Sequence, residues 1–400
     1  MNGELRWIED AIEKLAQTAE KNGLYWRAAY TPEDYKGVQL LKQWMEEAGF
    51  QTYFDQVGNL YGRIEGESDA VFLTGSHRDT VVNGGKFDGA LGIITAIAAG
   101  GALYRLYGRP KKTLEVVALC EEEGSRFLTG YVGSRALIGT LGEKNLREKD
   151  ETGRSLQEAM QTSGYYHGTL PKPREDVEQF LELHIEQGGV LEKTGNKIGI
   201  VTAIVGILAG NIVFFGEQNH AGTTPMNMRK DPVPAAAAFT VELNRWALSK
   251  GTELVCTIGN ITVEPGKSNV IADRVGLTFD IRSGSQVLLE EVKEKIEELM
   301  ENFSTYQPVI IYACQEAPAL MEKDGVSRLE ALAEEQGEGY IKMASGAGHD
   351  SQIIAEKIKT NMIFVPSQKG VSHSPFEFTA IQDIAPGYEL MKAYMKESIW

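Results

Sequence analysis

Apolar positions along the first two hundred residues alternate between two spacings. Residues 32–50, PEDYKGVQLLKQWMEEAGF, have apolar side chains at helical spacing and close near a glycine, which predicts an amphipathic helix. Residues 113–120, TLEVVALC, form an apolar run typical of a buried strand, and residues 89–108 predict a buried helix. This alternation predicts an α/β fold in which helices flank a mostly parallel central sheet.

The middle of the chain follows a different pattern. Its predicted elements are two or three strands in 193–216, a helix over 231–251, strands over 255–266 and 272–284, and a helix over 285–303. The α/β pattern then resumes with two short apolar runs and a C-terminal helix. We therefore expect a small α+β domain, residues 208–322, inserted into a larger α/β domain of residues 1–207 and 323–400. The charge-rich stretch 141–176 is expected to be an exposed excursion.

Composition narrows the class of protein. Hydrophobic residues make up 42% of the chain and charged residues 24%, as in globular proteins, and the net charge of -16 disfavours a nucleic-acid partner. The N-terminus is acidic and amphipathic rather than a signal peptide, and we expect no apolar stretch to reach the length needed to cross a membrane. Three widely spaced cysteines, Cys120, Cys256 and Cys314, favour reduced thiols and a cytoplasmic location.

Histidines give the first indication of chemistry. A lone histidine at a strand end is more often a capping or core residue than a metal ligand. Here five of the six histidines stand in similar polar, glycine-flanked stretches, which favours metal ligands, and only His167 is incidental; the five are His77, His184, His220, His349 and His373. The loop GSHRDTVVNGGKFDG, residues 75–89, adds Asp79 and Asp88 beside His77, and its glycines are expected to make room for metal ions.

Three consecutive carboxylates, Glu121, Glu122 and Glu123, follow the predicted strand 113–120 directly. They would repel one another unless a cation or a proton compensates them, although a solvated turn is the alternative interpretation. The functional interpretation has one carboxylate on a metal and a neighbour free to act as a general base. Imidazole and carboxylate ligands together suit Zn, Mn, Co or Ni rather than calcium or a thiolate site.

Several of these motifs carry a family resemblance. In order, they are GSHRDTVVNGGKFDG, EEEGSRF, ELHIEQGGVLE, NHAGTTPM, SNVIADRVGLTFDIR, SGAGHD and PSQKGVSHSP. From about residue 27 onward the chain resembles the dinuclear metallohydrolases that include aminoacylases and glutamate carboxypeptidases. Within them it is similar to the ureido-hydrolysing branch of allantoate amidohydrolase, N-carbamoyl-L-amino-acid hydrolase and β-ureidopropionase.

The resemblance implies two divalent metal ions per subunit, with Mn²⁺ first and Zn²⁺, Co²⁺ or Ni²⁺ as alternatives. It implies five ligands: the bridging Asp88, with His77 and His184 on one ion and Glu123 and His373 on the other. Glu122 would be the general base. Asp79 would not bind a metal itself but would accept the ring N–H of His77 and fix its tautomer. Glu121 would be bystander charge.

The resemblance also implies residues that contact the substrate. His220 would stabilise the oxyanion, and Asn269 and Arg282 would hold a carboxylate, although a surface salt bridge is the alternative for Arg282. Others would line the pocket: Gln187, Gly346, Ala347 and His349. A homodimer would form through the inserted domain, which acts as a lid and places His220 in the partner's active site.

The substrate implied is a small ureido acid, which loses its carbamoyl group as ammonia and CO2. VVNGG, EEEGSRF, SGAGHD and the pair Pro366–Ser367 favour allantoate, and SQKGVSHSP favours N-carbamoyl-amino acids. A related amide is a third alternative. A protein of another class, an inert metal-stabilised binder, is disfavoured because a binder has no need of Glu122.

The sequence departs from the family pattern at two places. Arg78, between His77 and Asp79, replaces the usual aliphatic residue, so we expect it to point away from the metals or meet an acid. In the segment GLYWR, Arg27 matches the family but Leu24 and Trp26 do not, which puts the choice of substrate in question if this segment touches it.

Overall fold

The computed structural model describes residues 3–21 and 24–400, which form two compact units. The larger unit contains the chain up to Thr202 together with Met321–Met343 and Ala347–Trp400. The inserted unit contains Ala203–Leu320 and Ala344–Gly346. The inserted unit thus begins five residues before the predicted boundary at 208 and also takes in a short segment far along the chain.

The helices of the described residues are α1 Gly3–Ala19, α2 Pro32–Glu47, α3 Ala90–Tyr107, α4 Val132–Ile138, α5 Glu143–Leu146, α6 Leu156–Thr162, α7 Val190–Thr194, α8 Pro232–Leu248, α9 Gln286–Asn302, α10 Lys323–Gln336, α11 Asp350–Ile354 and α12 Ile381–Ile399. The strands are β1 Glu20–Lys21, β2 Leu24–Tyr25, β3 Gln51–Phe54, β4 Leu60–Ile64, β5 Ser68–His77, β6 Lys112–Leu119, β7 Val177–Ile185, β8 Ile198–Ile204, β9 Gly206–Phe215, β10 Asn219–His220, β11 Leu254–Glu264, β12 Val270–Ile271, β13 Arg274–Ser283, β14 Val309–Glu316, β15 Ala319–Leu320, β16 Tyr340–Ser345 and β17 Lys359–Val365.

The central sheet confirms the predicted fold class. Its strand order is β15-β8-β17-β7-β5-β6-β4-β3, with β16 paired to β8. The four middle strands, β17, β7, β5 and β6, run parallel, and the pairings outside them, β17 with β8, β6 with β4 and β4 with β3, are antiparallel. The carboxyl ends of the parallel strands therefore share one edge of the sheet, where α/β proteins bind ligands.

Helix α3 forms the centre of the largest apolar core. Fourteen of its 18 residues are buried, and it packs in one cluster with residues of α1, α2, α12 and the parallel strands. By length and composition it could span a membrane, so the expectation that no apolar stretch is long enough was wrong. Its burial inside the larger unit identifies it as a core helix of a globular fold.

The inserted unit contains a four-stranded antiparallel sheet with the order β11-β13-β9-β14. Helices α8 and α9 supply the apolar residues that bury one face of this sheet, including Phe239 and Val292. A separate two-stranded pairing joins β10 to β12. The strands and helices predicted for this segment are therefore present, and two strands rather than three occupy 193–216.

The stretch 141–176 differs from its prediction. It contains the short helices α5 and α6, and several of its apolar residues are buried in a cluster with Phe127 and Val132. Leu156 and Met160 are fully buried, so the stretch is a packed subdomain with an exposed charged surface rather than a loose excursion.

Arg78 forms an ion pair with an acidic side chain, as expected from its position beside His77. Its guanidinium is fully buried and donates to both carboxylate oxygens of Asp34 in α2, with Nε–Oδ1 at 2.7 Å and Nη2–Oδ2 at 3.2 Å. Its Nη1 donates to the carbonyl oxygen of Gly58 at 2.8 Å. Arg27 is buried beside it and donates from Nε to the carbonyl oxygen of Arg78 at 2.6 Å, whereas Trp26 is exposed. The contacts between Arg78 and Asp34 connect α2 to the residue that follows β5.

Replacing Asp34 tests this role. Asp34→Ala leaves the Arg78 charge buried without its partner, which is expected to lower the free energy of unfolding by about 3–5 kcal/mol. The matched control is Lys42→Ala, which breaks an exposed ion pair with Glu46 and is expected to change stability little. Urea unfolding of both variants measures the difference, and equal small effects would contradict the assignment.

Candidate metal centre

Three parallel strands bring the predicted ligands to one edge of the sheet. Strand β5 ends at His77, β7 contains His184 one residue before its end, and β6 leads directly into the three carboxylates at 121–123. Asp88 lies just before α3, where Gly89 has a φ of 64° and a Cβ would come within 2.5 Å of the His77 ring. Gly89 therefore makes room for the side chain of His77.

Asp88 stands between two groups of side chains. Its Oδ1 lies 3.4 Å from His77 Nε2 and 3.1 Å from His184 Nε2. Its Oδ2 lies 3.3 Å from His373 Nε2, which is in turn 3.6 Å from Glu123 Oε2. Each group has the three donor atoms that a metal site needs, and the two groups share Asp88 through different oxygens.

The chemistry of these donors fits divalent cations. Asp88, Glu122 and His77 are almost completely buried, and one oxygen of Glu123, Oε1, is buried without a hydrogen-bond partner in the described part of the chain. Because a buried carboxylate pays a desolvation cost, a lone oxygen of this kind is a candidate ligand atom. Imidazole nitrogens and carboxylate oxygens together suit Mn, Zn, Co and Ni.

The pKa shifts of the site also favour the binding of cations. Burial raises the pKa of Glu122 well above its ordinary value and that of Glu123 to about 7. The hydrogen bond to Asp88 raises the pKa of His373 to about 8. The raised pKa values show that the cluster favours added positive charge, whether as protons or as cations.

Asp79 contacts the His77 ring through its backbone and the acidic turn through its carboxylate. The backbone carbonyl oxygen of Asp79, not its carboxylate, lies 3.0 Å from His77 Nδ1. Its carboxylate accepts the backbone N–H groups of Glu122 at 3.1 Å and Glu123 at 3.2 Å. The side chain is buried between these loops, so Asp79 sets the position of the acidic turn as well as the orientation of the histidine.

Glu121 faces away from this cluster. Its Oε1 accepts the N–H groups of Phe127 at 2.9 Å and Arg126 at 3.3 Å, and the residue has a φ of 52°. Burial raises its pKa to about 8. Glu121 therefore closes the loop that follows β6.

A cleft of about 320 Å³ opens onto the cluster. Its walls include the metal-site side chains, the loop 128–131, and Ala347 and His349. His349 is fully buried with its ring centroid 4.5 Å from that of His184, and burial lowers its pKa well below the usual value. Gln187 also lines the cleft, and its Nε2 donates to Asp88 Oδ2 at 2.9 Å.

The other predicted substrate contacts belong to the inserted unit. His220 is exposed, and its Nδ1 accepts the N–H of Gly222 at 3.0 Å, which leaves the ring proton on Nε2. The exposed Asn269 lies next to it, because its carbonyl oxygen accepts the Ala221 N–H at 3.0 Å.

Arg282 is already paired within the inserted unit. Its Nε and Nη2 donate to the two carboxylate oxygens of Asp280 at 2.8 and 3.2 Å, and its Nη1 donates to the carbonyl oxygen of Gly346 at 3.3 Å. The salt bridge considered as an alternative is therefore present. The spacing of Asp280 and Arg282, two residues apart on one strand, was a signal for this pair that the sequence interpretation did not use.

Two residues near the cluster were also missed. Glu377 is buried against the loop that carries Asp88, and Ser372 lies between Glu377 and Asp88. The signal for Glu377 was an acid flanked by two phenylalanines, four residues after His373.

A buried cluster that can hold two cations, at the carboxyl edge of a parallel sheet, is the arrangement expected of a metal-dependent enzyme, and comparisons with known proteins identify a hydrolase. Residues 64–397 match the family described as Peptidase family M20/M25/M40. The chain is 42% identical to allantoate amidohydrolase of Bacillus subtilis, covering 95% of this chain and 94% of the relative. It is 36% identical to N-carbamoyl-L-amino-acid amidohydrolase of Pseudomonas sp., with 97% and 96% covered. A crystal structure of an amidase of the hydantoinase/carbamoylase family from Burkholderia multivorans superposes with a TM-score of 0.89 at 30% identity, covering 98% and 97%.

The chain belongs to the M20/M25/M40 peptidase family, and within that family it is an amidohydrolase. Enzymes of this family use a centre of two divalent metal ions, and the clustered histidines and carboxylates of this chain are suited to such a centre. The resemblance stated from the sequence is thereby confirmed.

Metal binding should release protons in a defined pH range. A pH of about 6 is below the pKa values of Glu123, about 7, and His373, about 8, so both residues must lose protons to become ligands. At about pH 9 these two groups are already deprotonated, so fewer protons should be released than at pH 6. Calorimetric titration with Mn²⁺ in two buffers of different ionisation enthalpy counts these protons. Equal release at both pH values would contradict the assignment.

Proposed function

We propose that this enzyme hydrolyses the ureido C–N bond of a small ureido acid, with allantoate as the first candidate substrate. The observation that carries the proposal is the sharing of Asp88 between two ligand groups, with the buried Glu122 beside one of them. The activities for which the relatives at 42% and 36% identity are named support the ureido class.

His77, His184 and Asp88 would hold one divalent ion, and Asp88, Glu123 and His373 the other. When bound, the two ions supply Lewis acidity, which lowers the pKa of water and polarises the ureido carbonyl. Mn²⁺ is our first choice, and Zn²⁺, Co²⁺ and Ni²⁺ suit the same donors.

Glu122 is the general base of the proposal. Its carboxylate lies at the edge of the ligand cluster, with Oε2 4.0 Å from His77 Nε2, and it is buried away from bulk water. It would take a proton from the attacking water and then deliver it to the departing nitrogen. The Asp79 carboxylate supports this role because it fixes the backbone N–H of Glu122.

Residues of the inserted unit would bind and orient the substrate. His220 has its Nε2–H free to donate to the developing oxyanion, because its Nδ1 accepts the Gly222 N–H. Asn269 lies beside it, and Arg282 would hold the substrate carboxylate in competition with Asp280. Gln187, Gly346, Ala347 and His349 would complete the pocket.

N-carbamoyl-L-amino acids are the second candidate substrates. Relatives at 42% and 40% identity are named for allantoate, and relatives at 36% and 37% are named for N-carbamoyl-L-amino acids. The order of identities supports allantoate and thus a role in purine breakdown. The free cysteines support the cytoplasmic location expected from the sequence.

We also place a homodimer interface on the inserted domain, which would act as a lid. Strand β11 is at the edge of its sheet and exposes Val255, Ile261 and Val263. An exposed edge strand with apolar side chains is suited to pairing with a second copy about a two-fold axis. His220 would then act in the partner's active site.

Replacing the base tests the proposed chemistry. Glu122→Gln should keep both metal ions but lose about a hundredfold or more of the activity, because an amide cannot accept the proton. Ammonia release from allantoate and from a panel of N-carbamoyl-L-amino acids, with metal content measured alongside, is the assay. Near-normal turnover at full metal occupancy would overturn the role of Glu122. A metal-loaded wild type that releases no ammonia from any ureido acid would overturn the function.

Mixed dimers test the shared site. Glu122→Ala and His220→Ala should each be nearly inactive, whereas their co-expression should restore about a quarter of wild-type activity if pairing is random. The matched control mixes Glu122→Ala with Glu122→Gln, in which every site lacks the base and no activity should return. If mixed dimers form but stay inactive, His220 does not serve the partner's site.

A further inference from the structure

Glu377 is a buried carboxylate that joins two distant loops of the larger unit. Its Oε1 accepts the backbone N–H groups of Phe87 at 2.9 Å and of Asp88 at 3.1 Å. Its Oε2 accepts the hydroxyl of Ser372 at 2.9 Å. Only 3% of the residue is exposed, so these contacts account for a side chain that would otherwise be costly to bury.

Both loops carry proposed ligands of the same metal ion. The first loop contains Asp88, and the second contains His373 directly after Ser372. The Ser372 hydroxyl lies 3.3 Å from Asp88 Oδ2 as well, so the three side chains form a continuous connection.

The other proposed site has a different support. His77 and His184 lie on β5 and β7, whose backbones are held by the parallel ladder of the sheet. His373 instead lies in a loop with a φ of 51°, and its side chain is 52% exposed. The two ligand groups therefore differ in what keeps them in place.

The packing around the Glu377 carboxylate is close. A Cβ added to Gly85 would overlap Oε1 and Cδ of Glu377. A glycine at 85 is thus required for the carboxylate to reach the backbone of Phe87 and Asp88.

We infer that Glu377 is a positioning residue that sets the geometry of the metal site formed by Asp88, Glu123 and His373. The inference rests on the proposed two-metal function. It concerns the ion held by Asp88, Glu123 and His373, called the second ion below, more than the ion held by His77, His184 and Asp88. Partners behind metal ligands commonly change metal affinity by about 10–100-fold when they are removed.

The experiment is a titration of metal-free protein with Co²⁺, in which binding is measured by calorimetry and by visible absorption. Wild type should bind two ions. Glu377→Ala should keep the affinity for one ion and weaken the other by about 10–100-fold. Glu377→Gln should restore most of the second affinity, because its amide oxygen can accept both N–H groups and its amide nitrogen can donate to Ser372.

A second variant tests the same contact with the carboxylate intact. Gly85→Ala displaces the Glu377 side chain and should weaken the second ion as Glu377→Ala does. The matched control is Glu322→Ala, which removes a carboxylate that accepts the N–H groups of Asp324 at 3.1 Å and Gly325 at 2.6 Å at the start of α10. This control should bind two Co²⁺ ions as wild type does.

The outcomes separate the two claims. Binding of two ions with wild-type affinities in both Glu377→Ala and Gly85→Ala would overturn the inference and leave the metal centre intact. Equal weakening of both ions would also overturn it, because it would make Glu377 a general structural residue. A wild type that binds fewer than two Co²⁺ ions would overturn the metal centre and the inference together.

Discussion

Mutual repulsion among buried carboxylates is the constraint on which the site depends. Asp88, Glu122 and Glu123 lie together in a region with little water, where like charges interact strongly. Burial, together with the neighbouring carboxylates, raises the pKa values of Glu122 and Glu123, so protonation is one way to relieve this repulsion. Two divalent cations held by these side chains would be another.

Two further buried carboxylates hold the acidic loops in place through backbone N–H groups. The carboxylate of Asp79 holds the acidic turn by two N–H groups, and Glu377 holds the Asp88 loop in the same way. The Arg78 cation, which could have disturbed the centre, is buried against Asp34 on the other side of its loop. Charged side chains around the cluster thus act mainly as positioning groups.

Local patterns were sufficient to predict the parallel sheet and the core helix α3, because both depend on apolar periodicity. The residues that cluster around Asp88 were implied by the family resemblance, and the rule that parallel strands end at one edge explains why they lie together. The partners of Arg78 and the contacts of Glu377 could not be predicted, because they join residues that are 44 and 290 positions apart in the chain. The oxygen of Asp79 that contacts the His77 ring could not be predicted either, since a carboxylate and a backbone carbonyl of one residue cannot be distinguished from the sequence.

The most direct test of the account is anomalous diffraction from crystals grown with Mn²⁺. The account predicts two anomalous peaks on opposite sides of Asp88, one next to His77 and His184 and the other next to Glu123 and His373. A single peak, or two peaks that do not share Asp88, would contradict it.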